Sequence, residues 1–183
     1  MIVGLTGKKG SGKSTVAGMF CEKYGYRLMS FATPIKDMLM SMGLTEDEIY
    51  NVDLKEKTIE RFGKSPREML QLLGTEFGRN LIADDIWVKV LEAKIEPSDH
   101  IVIDDVRFVN EAEMIRGKGG KIIRIERIGQ ELGMIDNHIS EAGIPDDLVD
   151  NVITNMSCYT SDLELTAFRV MEELKWNYSQ FQT

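Results

Sequence analysis

Short apolar runs alternate along this chain with stretches whose apolar residues recur at helical spacing. Ile2-Val3-Gly4-Leu5-Thr6 is almost continuously apolar, the pattern of a strand buried on both faces. The glycine-rich segment Gly7 to Gly12 follows, and Lys13 to Tyr24 then places Val16, Ala17, Phe20 and Cys21 on one helical stripe. Tyr26 to Phe31 reads as a second strand. Pro34 to Met42 reads as a helix with Thr33 as N-cap and Pro34 in its first turn. Gly43 to Lys64 is polar and irregular, and is the best candidate for a mobile insertion.

Ser65-Pro66-Arg67-Glu68 has the form of a capping box, in which hydroxyl and carboxylate satisfy each other's orphan backbone donors. The helix it opens is expected to reach Leu81 with an apolar stripe of Met69, Leu70, Leu73 and Phe77. Another helix is predicted over Asp85 to Ile95. His100-Ile101-Val102-Ile103-Asp104 is a strong buried-strand signal, followed by a helix from about Val109 to Lys118 that Gly119-Gly120 ends. Lys121 to Arg127 is the next strand, Gly129 to Pro145 is loop-like with some helical character, and Asn151 to Thr154 is the last strand. A second capping box, Ser161-Asp162-Leu163-Glu164, is expected to open a terminal helix to about Trp176. Strands alternating with helices predict an α/β fold with a parallel, five-stranded, helix-flanked sheet.

Composition narrows the function. The 183 residues suit one domain, 1–183, with a sizeable core. A net charge of −8 argues against a general nucleic-acid or membrane-surface binder, while leaving room for a local basic pocket. Cys21 and Cys158 have no metal-ligand spacing and read as buried thiols in a reducing compartment. No signal peptide or apolar run of membrane-spanning length is apparent, so a cytoplasmic location is expected, the host cytoplasm if the chain is phage-encoded.

The chemistry begins at Gly7-Lys8-Lys9-Gly10-Ser11-Gly12-Lys13-Ser14, which matches the P-loop pattern G-x-x-x-x-G-K-[ST] in full. Gly7, Gly10 and Gly12 let the backbone turn with its N–H groups open to phosphate oxygens. The helix that starts there adds unpaired amides and its positive dipole end, bringing Ser11 and Thr15 into the cradle. Lys13 supplies a compact charge to the β- and γ-phosphates of ATP, and Ser14 a hydroxyl to Mg²⁺. An ordinary glycine-rich turn is the bland alternative; the preceding strand and following helix favour the P-loop. A dinucleotide fingerprint fails because Thr15 stands where a third small position is needed.

Ligands of parallel sheets bind beyond the carboxyl ends of the strands. Those ends carry Lys36 just after Ser30-Phe31, Asp104-Asp105-Val106-Arg107, and Glu126-Arg127. Asp104, after three apolar residues, has the form of a Walker B carboxylate that holds Mg²⁺, with a surface turn as the competing reading. Arg107 and Arg127 suit bidentate phosphate clamping and catalytic charge neutralisation, with solvated strand-end arginines as the competitor.

With these motifs in place, the chain resembles the deoxynucleoside monophosphate kinases of bacteriophages, within the P-loop nucleotide kinase superfamily. The resemblance is carried by Phe31-Ala32-Thr33-Pro34-Ile35-Lys36, Pro66 to Glu76, Asp85-Ile86-Trp87, Asp104 to Phe108 and His138-Ile139-Ser140-Glu141. It implies a three-layer sandwich like that of nucleoside monophosphate kinases, and ATP- and Mg²⁺-dependent phosphorylation of a small-molecule deoxynucleoside monophosphate. It places Lys36, Arg67, Gln71, Thr75, Arg79, Trp87 and Arg107 at the acceptor. An acceptor-binding insertion at about 43–82 and a lid-like segment at about 128–145 are further implications, while roles for His138 and Glu141, base choice and homodimer formation stay open. Arg67, Gln71, Thr75 and Arg79, four apart, share a helix face that suits a monophosphate and base edge, with an ordinary solvated face as the competing reading. Two other classes compete. One is another small-molecule P-loop kinase, dephospho-coenzyme A-like or phosphomevalonate-like, although the Asp-Ala-Asp stretch of the former is missing. The other is a non-catalytic nucleotide-binding module, although no guanine-reading Asn-Lys-x-Asp motif is present.

Overall fold

The computed structural model describes residues 1–128, 143–156 and 160–180. The chain divides into two compact units, one of residues 1–30 and 95–183, the other of residues 31–94.

The first unit is built on five parallel strands: β1 (Ile2–Thr6), β2 (Arg27–Met29), β3 (Ile101–Ile103), β4 (Lys121–Arg127) and β5 (Asn151–Asn155). Their order is β2-β3-β1-β4-β5. Every residue of β1 is buried, as its unbroken apolarity requires of a central strand. Val3 pairs with Val102 of β3 on one side and Lys121 of β4 on the other. Val3, Leu5, Val102, Ile123 and Ile125 pack on α1 (Lys13–Tyr24) and α7 (Thr160–Gln180), through Val16, Ala17, Phe20, Ala167 and Met171. The opposite face meets α6 (Val109–Gly117) so closely that a Cβ on Gly4 would lie 2.7 Å from the Ile115 side chain. Helices on both faces complete the three-layer α/β sandwich. No helix among the described residues is long and apolar enough to cross a membrane.

The second unit is helical: α2 (Thr33–Ser41), α3 (Glu46–Tyr50), α4 (Pro66–Gln71) and α5 (Ile86–Glu92). Its core gathers Leu39, Leu44, Ile49 and Met69, with Leu70 and Leu73 packed against them. The segment expected to be irregular, Gly43 to Lys64, instead carries α3. Thr45 and Glu48 form a capping box there, Ile49 is fully buried, and Ile59 bridges to Lys64. Local capping and one apolar anchor outweigh the polar composition.

The predicted Ser65–Glu68 capping box opens α4. After Gln71 the winding widens into a π-helix, Leu72–Ile82. That turn has roughly 4.4 residues, so the buried stripe departs from α spacing. Gly74, Thr75, Gly78 and Arg79 are buried, whereas Phe77, expected in the apolar stripe, is exposed.

Three smaller boundaries also differ. β2 ends at Met29, and Phe31-Ala32 form a turn rather than strand. Ala32, in helical conformation, precedes α2, so Thr33 is its first residue and not its N-cap, a position that needs extended backbone. α7 begins at Thr160, which places Ser161 inside the first turn instead of capping it.

Candidate active site

β1 lies where the strand order turns back on itself, between β3 and β4, and the glycine-rich loop leaves its carboxyl end. This is the switch point at which open parallel sheets bind ligands. Gly7 has φ +136°, and a Cβ there would lie 2.3 Å from the Ile125 carbonyl oxygen, so no side chain is tolerated. Gly12, at φ +110°, precedes α1 without a side-chain cap, and no acidic residue stands in the first turn. The first amides of α1 and its positive dipole end are thus kept for an anion. Ser14 and Thr15 in that turn are exposed. Lys13 folds over the loop, its Nζ donating to the carbonyl oxygens of Gly7 at 2.7 Å and Lys8 at 2.9 Å.

Ser14 reaches across to the end of β3, where its hydroxyl donates to Asp104 Oδ2 at 2.9 Å. The next carboxylate, Asp105, accepts from the Ser30 hydroxyl at 2.7 Å, tying the ends of β2 and β3 together. Val106 holds this turn down: it is buried, and its N–H donates to the Leu5 carbonyl of β1. Glu111 then accepts from the backbone N–H groups of Arg107 (2.8 Å) and Phe108 (3.1 Å), bracing the start of α6. Arg127 closes the far side, its Nη1 donating to the Gly10 carbonyl at 3.2 Å. Lys13, Ser14, Asp104 and Arg127, singled out from strand ends read one at a time, therefore lie on or beside one loop. Glu111 and Asn155 escaped that reading. Asn155 Nδ2 donates to the Ser11 carbonyl at 2.9 Å, in a buried bond that only the packing of β5 creates. A capping-type acid four residues after Arg107 was the one signal for Glu111.

A hydroxyl and a carboxylate oxygen side by side beneath a phosphate loop form a hard, oxygen-only donor set. Mg²⁺ prefers such donors and shares them with substrate phosphates, so the residues fit that ion. The nearby Cys21 thiol is half-buried and pushed up in pKa, chiefly by burial and next by the Asp104 charge, which favours the thiol over the thiolate.

In the second unit, Arg67 is held by Glu56, with Nε 2.7 Å from Oε1, and its backbone N–H donates to the Lys55 carbonyl. Arg67 and Gln71 are half-buried, while Thr75 and Arg79 are buried. A residue four positions on overshoots one turn of α-helix and falls short of one turn of π-helix. The row from Arg67 to Arg79 therefore drifts one way and then back, and stays aligned. The Arg79 guanidinium donates to the Asp84 carbonyl, with the Asp84 carboxylate 3.9 Å away. Trp87 is buried against Gly78 and donates to the Gly74 carbonyl, which makes it part of the packing of this segment. Lys36 Nζ lies 4.6 Å from the centroid of the Tyr50 ring. His138, Glu141 and Cys158 lie outside the described residues, as does most of the expected lid at about 128–145.

Known proteins resemble this chain over most of its length. A family model described as deoxynucleotide monophosphate kinase matches residues 51–164. A putative deoxynucleotide monophosphate kinase of Acanthamoeba polyphaga mimivirus is 35% identical over 158 residues, covering 77% of this chain and 80% of that protein. The deoxynucleoside-5'-monophosphate kinase of Escherichia phage T5 is 35% identical over 111 residues, 57% of this chain and 44% of its own length. The chain thus spans less than half of that phage relative. Among solved structures, a shikimate kinase from Aquifex aeolicus aligns with a TM-score of 0.52 at 16% identity, covering 97% of this chain and 98% of that one. A dephospho-CoA kinase from Campylobacter jejuni aligns at 0.50 and 17% identity, covering 96% and 98%. These structural likenesses reflect the shared P-loop kinase fold. On the family match and the mimivirus relative together, this chain belongs to the deoxynucleotide monophosphate kinase family.

Proposed function

We propose that this chain transfers the γ-phosphoryl group of ATP to a deoxynucleoside monophosphate, with Mg²⁺ as cofactor and the cytoplasm as its site of action. The observation that carries this reading is the Ser14–Asp104 pair set beneath an anion-ready loop, in a member of this family.

The loop amides and the start of α1 cradle the triphosphate without reorganising. Lys13 exchanges its two carbonyl partners for β- and γ-phosphate oxygens, which are better acceptors for an ammonium group because they are charged. Ser14 and Asp104 would hold Mg²⁺, whose charge, when bound, offsets that of the β- and γ-phosphates. The nucleophile is an oxygen of the acceptor's own phosphate. It is already anionic, so no general base is required. As its bond to the γ-phosphorus forms, the bond from that phosphorus to the bridging oxygen breaks, and ADP leaves with the electron pair. Lys13, Arg107 and Arg127 neutralise the charge that moves, so catalysis is positioning plus electrostatics. In the second unit, Arg67 and Gln71 recruit the monophosphate, with Lys36 assisting. Thr75, Arg79 and Trp87 keep that row in place.

The test is a coupled assay of ADP production across all deoxy- and ribonucleoside monophosphates. ADP release that depends on a deoxynucleoside monophosphate is expected. Turnover of dephospho-coenzyme A or phosphomevalonate instead, or ATP binding with no acceptor-dependent ADP, would overturn the proposal. Arg67→Ala is expected to raise the KM for the monophosphate about tenfold or more with the KM for ATP little changed, the loss of one charge-assisted contact. An unchanged acceptor KM removes Arg67 from that role.

A further inference from the structure

We infer that Asn155 is a positioning residue of the phosphate loop, its carboxamide turning the Ser11–Gly12 peptide so that the Gly12 N–H faces the nucleotide; this rests on reading the first unit as an ATP site. Asn155 is the last residue of β5, in register with Arg127 at the end of β4. Its backbone is held there, with its carbonyl accepting the Ile128 N–H at 2.9 Å. The side chain is buried, and Nδ2 donates to the Ser11 carbonyl at 2.9 Å.

A trans peptide is planar, so the carbonyl of one residue and the N–H of the next point in opposite directions. Drawing the Ser11 carbonyl toward β5 therefore turns the Gly12 N–H away from β5. The fit is close: a Cβ on Gly12 would lie 2.9 Å from Asn155 Nδ2. The carboxamide thus reaches the loop only because residue 12 is glycine.

The neighbouring peptide is oriented in the same way. Arg127 Nη1 draws the Gly10 carbonyl toward β4, and the Ser11 N–H that follows closes a turn onto the Lys8 carbonyl. Two adjacent strand ends thus hold two successive loop carbonyls, one through a charged side chain and one through a neutral amide. Asn suits the second position because its NH₂ group donates, whereas an ionised Asp there accepts only and would set its charge against a carbonyl oxygen. Donors held in advance bind an anion without a reorganisation cost, so the bond should act on ATP affinity rather than on the acceptor.

The experiment compares Asn155→Asp and Asn155→Leu with the wild type in the full chain. It measures thermal midpoint, Kd for Mg·ATP, Kd for inorganic tripolyphosphate, and both KM values. Each folded variant is expected to lose about tenfold or more in affinity for ATP and for tripolyphosphate in parallel, with Asn155→Asp the weaker binder and the KM for the monophosphate little changed. If Asn155→Leu does not fold, the isosteric Asn155→Asp carries the test. Wild-type affinity for both anions in a folded variant overturns the inference. So does an equal rise in both KM values, which would mark a general structural defect. Failure of the kinase reading shows separately, as a wild type that binds ATP but releases no acceptor-dependent ADP.

Discussion

The Trp87 indole N–H donates to the carbonyl of Gly74 across 2.7 Å, inside the second unit and shielded from water. The ring lies so close to Gly78 that a Cβ there would come within 2.4 Å of it. Trp87→Phe keeps much of the apolar area but leaves a buried carbonyl without this donor. A loss of about 0.5–1.5 kcal/mol in stability is expected, the net worth of one hydrogen bond to a carbonyl that lies within the helix. Urea denaturation checks this, and an unchanged midpoint and slope would show that the bond contributes nothing.

Lys13→Ala removes a charge that lies over the loop, where its Nζ donates to the Gly7 and Lys8 carbonyls. The thermal midpoint should stay within a few degrees of wild type while kcat falls by at least about 10²-fold, the scale for deleting one preorganised electrostatic group. Near-normal turnover in the folded variant would contradict the role assigned to this side chain.

Asp104→Asn keeps a partner for the Ser14 hydroxyl but removes the negative charge. The Mg²⁺ concentration for half-maximal activity should rise about tenfold or more, and saturating Mg²⁺ should recover part of the rate. A magnesium titration that overlays the wild-type curve would exclude Asp104 from the metal site.

Acid sensitivity follows from the capping boxes. The carboxyl of Glu68 is held below its usual range, first by the Ser65 backbone N–H and then by the Ser65 hydroxyl. Glu48 is lowered first by the Thr45 backbone N–H, against a smaller opposing effect of burial. A depressed acid adds stability that is fully present above the unfolded value, about 4.3 for Glu, and lost as pH falls through the folded value. The thermal midpoint should therefore owe nothing to these groups' titration between about pH 5 and pH 7, and should drop below about pH 4.3. The double variant Glu48→Gln/Glu68→Gln should show a shallower acid limb in melts from neutral pH downwards. An identical limb would mean that these caps are not sensing pH.

Much of this protein was legible from one dimension because the signals were local. The strand Ile2–Thr6, the loop from Gly7 to Ser14 and the helix behind it are encoded within a few residues of each other. Glycine's tolerance of positive φ, the dipole of a helix start and the burial of an apolar run act over that short range. Asp104 could be singled out for the same reason, as a carboxylate closing an apolar run. Tertiary structure alone decided the bonds made across sequence distance: Ser14 to Asp104, Arg127 to Gly10 and Asn155 to Ser11. It also decided that the helix after Gln71 widens, which buries Thr75 and Arg79 and exposes Phe77 against α-helical expectation. Periodicity records which residues are apolar; partners brought in by strand order and ring packing determine where each side chain goes.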